Sequence, residues 1–337
     1  MLNLNGKSIL ITGGTGSLGK ALTKHILLNH PKLSELIIFS RDERKQFQMS
    51  QEFSRQEYKQ LRYIIGDVRD LESVKRAFHD VNYVIHAAAM KHVHISENNP
   101  DECVKTNING AQNVIEAAIR NNVERVVALS TDKACAPTSL YGATKLVSDK
   151  LFIAANTLFK NQSIKFSVVR YGNVMGSSDS LIPFFINKKE NENILPITDI
   201  EMTRFNISEK GSVKMVMYAL NNAWGGELFV PKLPSFRVKD VADAICAACD
   251  KPIVGLRPGE KIHEEMITAS DSLNTYLVDD YYVILPSILN WSLKNYKTHF
   301  NAVKVKRGFS YNSKDNSNWE TVDSLRLLID NYLQSID

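Results

Sequence analysis

The chain is poor in the features that mark secreted, metal-clipped or membrane-bound proteins. Four cysteines in 337 residues (Cys103, Cys135, Cys246 and Cys249) are too few for a disulfide scaffold. Only Cys246 and Cys249 stand at C-x-x-C spacing, within KDVADAICAACD, which reads as an amphipathic helix. With no further ligand nearby, core packing is expected of them rather than zinc or redox chemistry, and no metal site is expected. No apolar run approaches the roughly 20 residues that span a bilayer. The opening MLNLNGKSILITGG runs straight into a strand, so no signal peptide is expected and the protein is expected in the cytoplasm. No block of like charge occurs: 41 Lys+Arg against 37 Asp+Glu give a net charge of +4, so neither nucleic acid nor a membrane surface is expected as a partner. Repeats and low-complexity tracts are absent too.

What remains is an ordinary globular composition, 44% hydrophobic and 23% charged, long enough for one large domain with a smaller lobe. Short β-branched runs occur at Ser8 to Thr12, Glu35 to Ser40, Arg62 to Gly66, Val81 to Ala88, Arg125 to Thr131 and Lys165 to Tyr171. Helical patterns separate them, among them Gly19 to Leu28, Asp101 to Asn121 and Ser139 to Phe159. SILIT and RVVALS are apolar on both faces, as in a parallel sheet covered by helices on both sides. The expectation is an α/β, Rossmann-like doubly wound sheet over residues 1–172, with a smaller mixed α/β substrate-binding lobe over residues 173–337. A helix near Ser208 to Asn222 and a strand at Glu227 to Val230 are expected to carry about residues 206–232 back to the main sheet.

The first functional signal is ILITGGTGSLGK. Gly13, Gly16 and Gly19 lie between an apolar strand and a helix, where they permit a tight turn and close approach of backbone to a pyrophosphate. The second strand ends Phe39-Ser40-Arg41, and Arg44 and Lys45 follow. NAD enzymes place an acidic residue there for the ribose 2′-hydroxyl; a guanidinium and an ammonium suit a 2′-phosphate, so NADP is expected. Asp42 comes one step late and is equally readable as a helix N-cap. Asp67-Val68 is expected beside the adenine, and Ala87-Ala88-Ala89 offers small side chains at the end of the fourth strand.

The second signal is ALSTDKACAPTSLYGATK. Tyr141 and Lys145, at i and i+4, share one helix face. A tyrosine ordinarily titrates near 10, so its use as a base at neutral pH requires a neighbouring cation such as Lys145 or an oxidised nicotinamide ring.

Taken together, TGGTGSLG, HAAAMKHV, KTNINGAQNV, STDKA, YGATK, VVRYGNVMGS and RPGEKIHE resemble the extended short-chain dehydrogenase/reductase superfamily. Within it they resemble the inverting UDP-N-acetylglucosamine 4,6-dehydratases of pseudaminic acid biosynthesis, from Leu4 to about Trp319. The resemblance implies Tyr141, Lys145, Asp132, Lys133 and Thr131 as the catalytic group. Tyr141 would take the proton from the sugar's carbon 4 hydroxyl, Lys133 would be the carbon 5 base and Asp132 the acid for the carbon 6 hydroxyl. It implies NADP held by Gly13, Thr15, Gly16, Ser17, Leu18, Gly19, Ser40, Arg41, Asp42, Arg44, Lys45, Asp67, Val68, Ala87, Ala89, Lys91, Asn109, Tyr141, Lys145 and Val174. A UDP-sugar would meet Lys91, Thr131, Asn173, Ser178, Leu181, Arg204, Arg257 and Glu260, in what is expected to be a homo-oligomer.

An acid role for Asp132 is opposed by the adjacent ammonium, which lowers a carboxyl's pKa, so burial has to counter it. Two departures stand out. Gly176-Ser177-Ser178-Asp179 replaces the family's Gly-Ser-Arg-Gly, and Asn206 replaces a tryptophan after MTRF. The alternatives are a UDP-amino-sugar 4-epimerase, which has no use for Lys133, a retaining 4,6-dehydratase, and an NADP-sensing regulator on the same fold.

Overall fold

The structure, a computed structural model, describes residues 2–158, 163–177 and 180–334. Its strands are β1 (Ser8–Thr12), β2 (Glu35–Ser40), β3 (Leu61–Ile65), β4 (Tyr83–His86), β5 (Arg125–Thr131), β6 (Lys165–Tyr171), β7 (Asn173–Val174), β8 (Thr203–Ile207), β9 (Leu228–Pro231), β10 (Ser235–Arg237), β11 (Glu265–Ile267), β12 (Thr275–Val278), β13 (Tyr281–Ile284), β14 (Val303–Lys304) and β15 (Tyr311–Asn312). Its helices are α1 (Ser17–Asn29), α2 (Glu43–Glu52), α3 (Leu71–Ala77), α4 (Val93–Asn98), α5 (Pro100–Val104), α6 (Gly110–Arg120), α7 (Leu140–Leu158), α8 (Leu181–Glu192), α9 (Glu209–Asn222), α10 (Val238–Ile245), α11 (Leu293–Phe300) and α12 (Val322–Gln334).

The described residues form a ten-stranded sheet in the order β14-β12-β13-β9-β6-β5-β4-β1-β2-β3. From β3 to β9 neighbouring strands run parallel. Because successive strand residues face opposite ways, the apolar runs supply two cores. Ile9, Ile11, Ile38, Ile85 and Val127 join α1 and α9 on one face. Leu10, Ile37, Val84 and Val126 join α3, α6 and α7 on the other. This is the doubly wound plan, with its topological switch between β1 and β4, where such folds bind ligands. Strand β9 lies in the sheet beside β6, behind α9. Strands β12, β13 and β14 also belong to this sheet, as an antiparallel extension beyond β9, although they follow the Gly172 boundary. A third core, built by α8, α10, α12 and the segment around Leu195 and Ile197, lies apart from the sheet.

Two expectations need correction. The helix read over Asp101 to Asn121 is broken by a π-helical turn at Lys105–Asn109. The buried Asn107 side chain accepts from Met90 N at 2.8 Å and donates to Met90 O at 3.1 Å, and the extra residue in the turn accompanies that inward placement. In the second case, α10 ends at Ile245, and Cys246 and Cys249 beyond it are joined by a disulfide rather than packing as free core thiols.

Candidate active site

The strand ends of the parallel sheet open into a cleft of about 650 Å³. At its centre the chain leaves β1 through Gly13, whose φ is +65°; a Cβ there would lie 2.8 Å from Ala88 Cα, so only glycine lets the two loops meet. A Cβ on Gly19 would come 2.3 Å from the Gly14 carbonyl, which closes the turn onto the start of α1. Thr15, Gly16, Ser17 and Leu18 complete this wall, with the N-terminus of α1 facing the cleft. The result is a backbone cradle of the kind that takes a pyrophosphate, and the residues present fit a dinucleotide.

The end of β2 supplies Ser40, Arg41, Asp42 and Lys45 to the same cleft. Gln46 sets this corner by donating to Ser40 O and Ser40 Oγ, both at 3.0 Å. Asp42 is the N-cap of α2, accepting from Lys45 N at 3.0 Å, so the capping reading holds while the residue also lines the cleft. Arg44 is exposed and does not line the cleft, leaving Arg41 and Lys45 as its cations in this corner. Asp67 and Val68 line the far end. Burial pushes the Asp67 carboxyl up, but bonds from Arg69 and the charges of Arg69 and Arg41 more than offset it and hold it low. Ala87, Ala89, Lys91 and Val174 line the cleft. Asn109 is exposed on the π turn and does not line it, whereas Asn107, missed by the motif reading, ties the Met90 loop to Thr144 of α7 at 3.0 Å. Gly66, Ser130 and Tyr171, at strand ends, and Thr106, in the π-helical turn, also face the cleft without having been singled out; for the first three the strand-end position was the available signal.

Helix α7 brings Tyr141 and Lys145 to the cleft wall, and both side chains are buried. Burial pushes the Tyr141 phenol up to about 12; the Lys133 ammonium opposes this most, and a hydrogen bond with Thr131 adds to the opposition. Lys145 is lowered by burial, with the Asp149 carboxylate one turn further along α7 opposing. Asp149 is itself fixed by Ser130 Oγ at 2.7 Å and Arg170 at 3.1 Å.

Thr131 ends β5, and Asp132 and Lys133 follow directly from it. Thr131 lines the cleft and donates to Asp132 Oδ1 at 3.0 Å. Asp132 is 1% exposed and sits behind that wall, with its Oδ2 lacking a partner and lying 3.4 Å from where a Gly172 Cβ would stand. The Lys133 Nζ bridges Asp132 Oδ1 at 3.1 Å and Glu264 Oε1 at 3.2 Å. Burial lifts the Asp132 carboxyl; Lys133 opposes, Glu264's charge adds to the lift, and the group ends raised. Burial alone would lower Lys133, but the charges of Asp132 and Glu264 raise it well above the ordinary lysine range. Glu264 is lifted by burial, yet Lys133, Arg204 and Lys261 pull it below its usual value. Lys133 thus lies between two buried carboxyl groups that its surroundings push in opposite directions, Asp132 up and Glu264 down. Glu264 lies within the quoted RPGEKIHE, but nothing in its spacing singled it out.

The residues assigned to the nucleotide-sugar side are more scattered. Asn173 and Leu181 line a small separate cavity with Asn206 and Phe236, and Asn173 Oδ1 is buried without a partner. Asn206 Nδ2 donates to Glu320 Oε1 at 3.2 Å. Arg204 is buried, donating to Thr203 O and Ile262 O at 2.8 and 3.0 Å. Arg257 and Glu260 form an exposed turn in which the Glu260 carboxylate accepts from Arg257 N at 3.0 Å. That turn leads into β11. Ser178 lies outside the described residues.

A nucleotide cradle at the switch of a doubly wound sheet, with a Tyr-x-x-x-Lys helix on its wall, defines a nicotinamide-nucleotide enzyme of the extended short-chain dehydrogenase/reductase superfamily. Residues 9–286 match the polysaccharide biosynthesis protein family, and the chain belongs to it. It is 52% identical over 331 residues to the UDP-N-acetylglucosamine 4,6-dehydratase (inverting) of Campylobacter jejuni, covering 95% of this chain and 96% of that one. It is also 41% identical over 284 residues to a UDP-glucose 4-epimerase of Rickettsia canadensis, covering 82% of each. The X-ray structure of Pen from Bacillus thuringiensis superposes with a TM-score of 0.90 at 35% identity, covering 98% of this chain and 99% of that one. DesIV of Streptomyces venezuelae, a dTDP-glucose 4,6-dehydratase solved with NAD bound, gives a TM-score of 0.67 at 22% identity, covering 76% of this chain and 86% of that one; it bears on the fold alone. Among the described residues no helix is long and apolar enough to cross a membrane, and no His/Cys/Asp/Glu cluster could hold a metal.

Proposed function

We propose that the protein is a cytoplasmic hydro-lyase, active as a homo-oligomer, that removes water across carbons 4, 5 and 6 of UDP-N-acetylglucosamine with inversion at carbon 5. The product is a UDP-2-acetamido-2,6-dideoxy-4-keto-hexose, for pseudaminic acid or another surface glycan. NADP is the fitting cofactor, held by the Gly13–Gly19 cradle with Ser40, Arg41 and Lys45 toward its 2′-phosphate; when bound it takes the carbon 4 hydride and returns it at carbon 6. The part of the chain after Gly172, with Asn173, Arg204 and the Arg257–Glu260 turn, would receive the UDP.

The chain's own contribution is proton management. Tyr141 takes the carbon 4 hydroxyl proton. Its phenol needs cations to act near neutral pH, and Lys133, Lys145 and an oxidised nicotinamide ring are those at hand. Lys133 takes the carbon 5 proton, made acidic by the new ketone. As an ammonium it must first shed its own proton, and the Glu264 carboxylate stands 3.2 Å away. Asp132 protonates the departing carbon 6 hydroxyl, which leaves as water, and a proton taken up on the opposite face of carbon 5, once carbon 6 has its hydride, would complete the inverted product.

The observation that carries this reading is the raised, 1% exposed Asp132 beside Lys133, one residue from the cleft wall. A 4-epimerase, the reading favoured by the Rickettsia relative, needs only Tyr141 and reversible hydride transfer. Incubation with UDP-N-acetylglucosamine and mass spectrometry separates the two: a product lighter by one water is expected, and an isomer of unchanged mass would favour the epimerase.

A further inference from the structure

Glu264 is buried to 2% exposure just before β11, in a segment brought against the β5 strand end from more than a hundred residues away. Its backbone is pinned on both sides, N–H donating to Ser313 Oγ at 2.9 Å and carbonyl accepting from Ser313 N at 2.8 Å. The carboxylate is therefore delivered to Lys133 by the fold. Its Oε1 stands 3.2 Å from Lys133 Nζ and 3.9 Å from Arg204 Nε; its Oε2 has no hydrogen-bond partner and stands 3.9 Å from Lys261 Nζ. An anion buried this deeply is costly unless it is paired, and here the pairing runs to the same ammonium that Asp132 touches.

Two carboxylates thus share one lysine. If Asp132 were the sole partner of Lys133 it would have to stay ionised to balance the ammonium, and an ionised carboxylate has no proton to give. We propose that Glu264 is a positioning residue for dehydration: it takes the Lys133 ammonium as its own ion-pair partner and so leaves Asp132 free to hold a proton for the departing hydroxyl. The proposal rests on the acid and base roles given above to Asp132 and Lys133. The opposite directions of the two carboxyls, Asp132 raised and Glu264 lowered, agree with it. The charged and titratable groups facing the pair are Lys133, Arg204, Lys261 and the Tyr141 phenol.

The test is Glu264→Gln. Removing its charge lets Lys133 draw Asp132 into ionisation, so the fraction of Asp132 carrying a proton falls at any given pH. Single-turnover dehydration should drop by about a hundredfold, the scale of losing a general acid, and its alkaline limb should move to lower pH. Formation of NADPH on adding UDP-N-acetylglucosamine, which reports carbon 4 oxidation, should keep its wild-type rate, and KM should stay within about twofold. Glu264→Asp, which keeps the charge, should recover the wild-type pH limb even where its rate is reduced. A Glu264→Gln enzyme with wild-type dehydration and an unmoved alkaline limb overturns the proposal, as does one that loses NADPH formation and dehydration together, which marks a structural role. Should that variant not fold, infrared difference between wild type and Asp132→Asn at neutral pH decides instead: a protonated carboxyl is expected, and its absence overturns the proposal. Lys133→Met separates the two levels. Normal dehydration in that variant defeats the underlying acid–base reading, while a dead Lys133→Met beside a normal Glu264→Gln defeats only the role of Glu264.

Discussion

At the residue scale the decisive side chains are those whose protonation the surroundings fix. Tyr141 is pushed up to about 12 by burial, so its usefulness depends on the cations around it. Tyr141→Phe removes one oxygen and little volume, and reduction of bound NADP by substrate should fall by about a hundredfold to ten-thousandfold. Lys133→Met should stop dehydration while an NADPH rise at 340 nm, about the usual nicotinamide band, still follows addition of substrate; adding Tyr141→Phe to it should abolish that rise. A Tyr141→Phe enzyme that reduces NADP at the wild-type rate would remove tyrosine from the chemistry. Tyr141 and Lys145 were legible because helical spacing alone puts them on one face, whereas Lys133 and Asp132 were read only through the family resemblance. Glu264 was not legible, because the contact that gives it meaning spans 131 positions and is made by the pairing of Glu264 with Ser313, not by any local pattern.

At the element scale the sheet was readable and the breaks in helices were not. SILIT and RVVALS carry no polar alternation, so their burial on both faces follows from the residues themselves. The π turn at Lys105–Asn109 exists because Asn107 bonds to Met90 and Thr144, partners that no periodicity encodes. The end of β4 shows a further cost of building a polar site into a core. His86 is 1% exposed, its Nδ1 is 2.8 Å from Thr12 Oγ1, and burial, with a smaller contribution from the Lys145 charge, lowers its pKa from 6.5 to about 3. The native state thus excludes a proton that the unfolded chain accepts. The unfolded state binds more protons in this window, so stability rises with pH and is lost on acidification from about 6.5 toward 3. The loss approaches about 1.4 kcal/mol per pH unit from this group alone. Denaturant unfolding of wild type and His86→Gln across that range should show a shallower decline in the variant; parallel declines would contradict the burial of a neutral imidazole.

At the scale of the whole molecule, one cleft joins the glycine turn, the β2 end and the α7 wall, and the proposed reaction calls for a nicotinamide dinucleotide there, proposed above to be NADP. Nucleotide released by denaturing purified protein should be NADP by mass spectrometry, and mostly NAD would remove the argument from Arg41 and Lys45. Lys45→Ala should weaken NADP retention while Arg44→Ala should not, since Arg44 is exposed outside the cleft. The central claim, dehydration with inversion, is tested most directly by proton NMR of the product formed from UDP-N-acetylglucosamine in deuterated water. The account predicts a carbon 6 methyl group, deuterium at carbon 5, and ring couplings of the inverted configuration. A methyl-bearing product with carbon 5 retained, or a carbon 4 epimer with its carbon 6 hydroxyl intact, would contradict it.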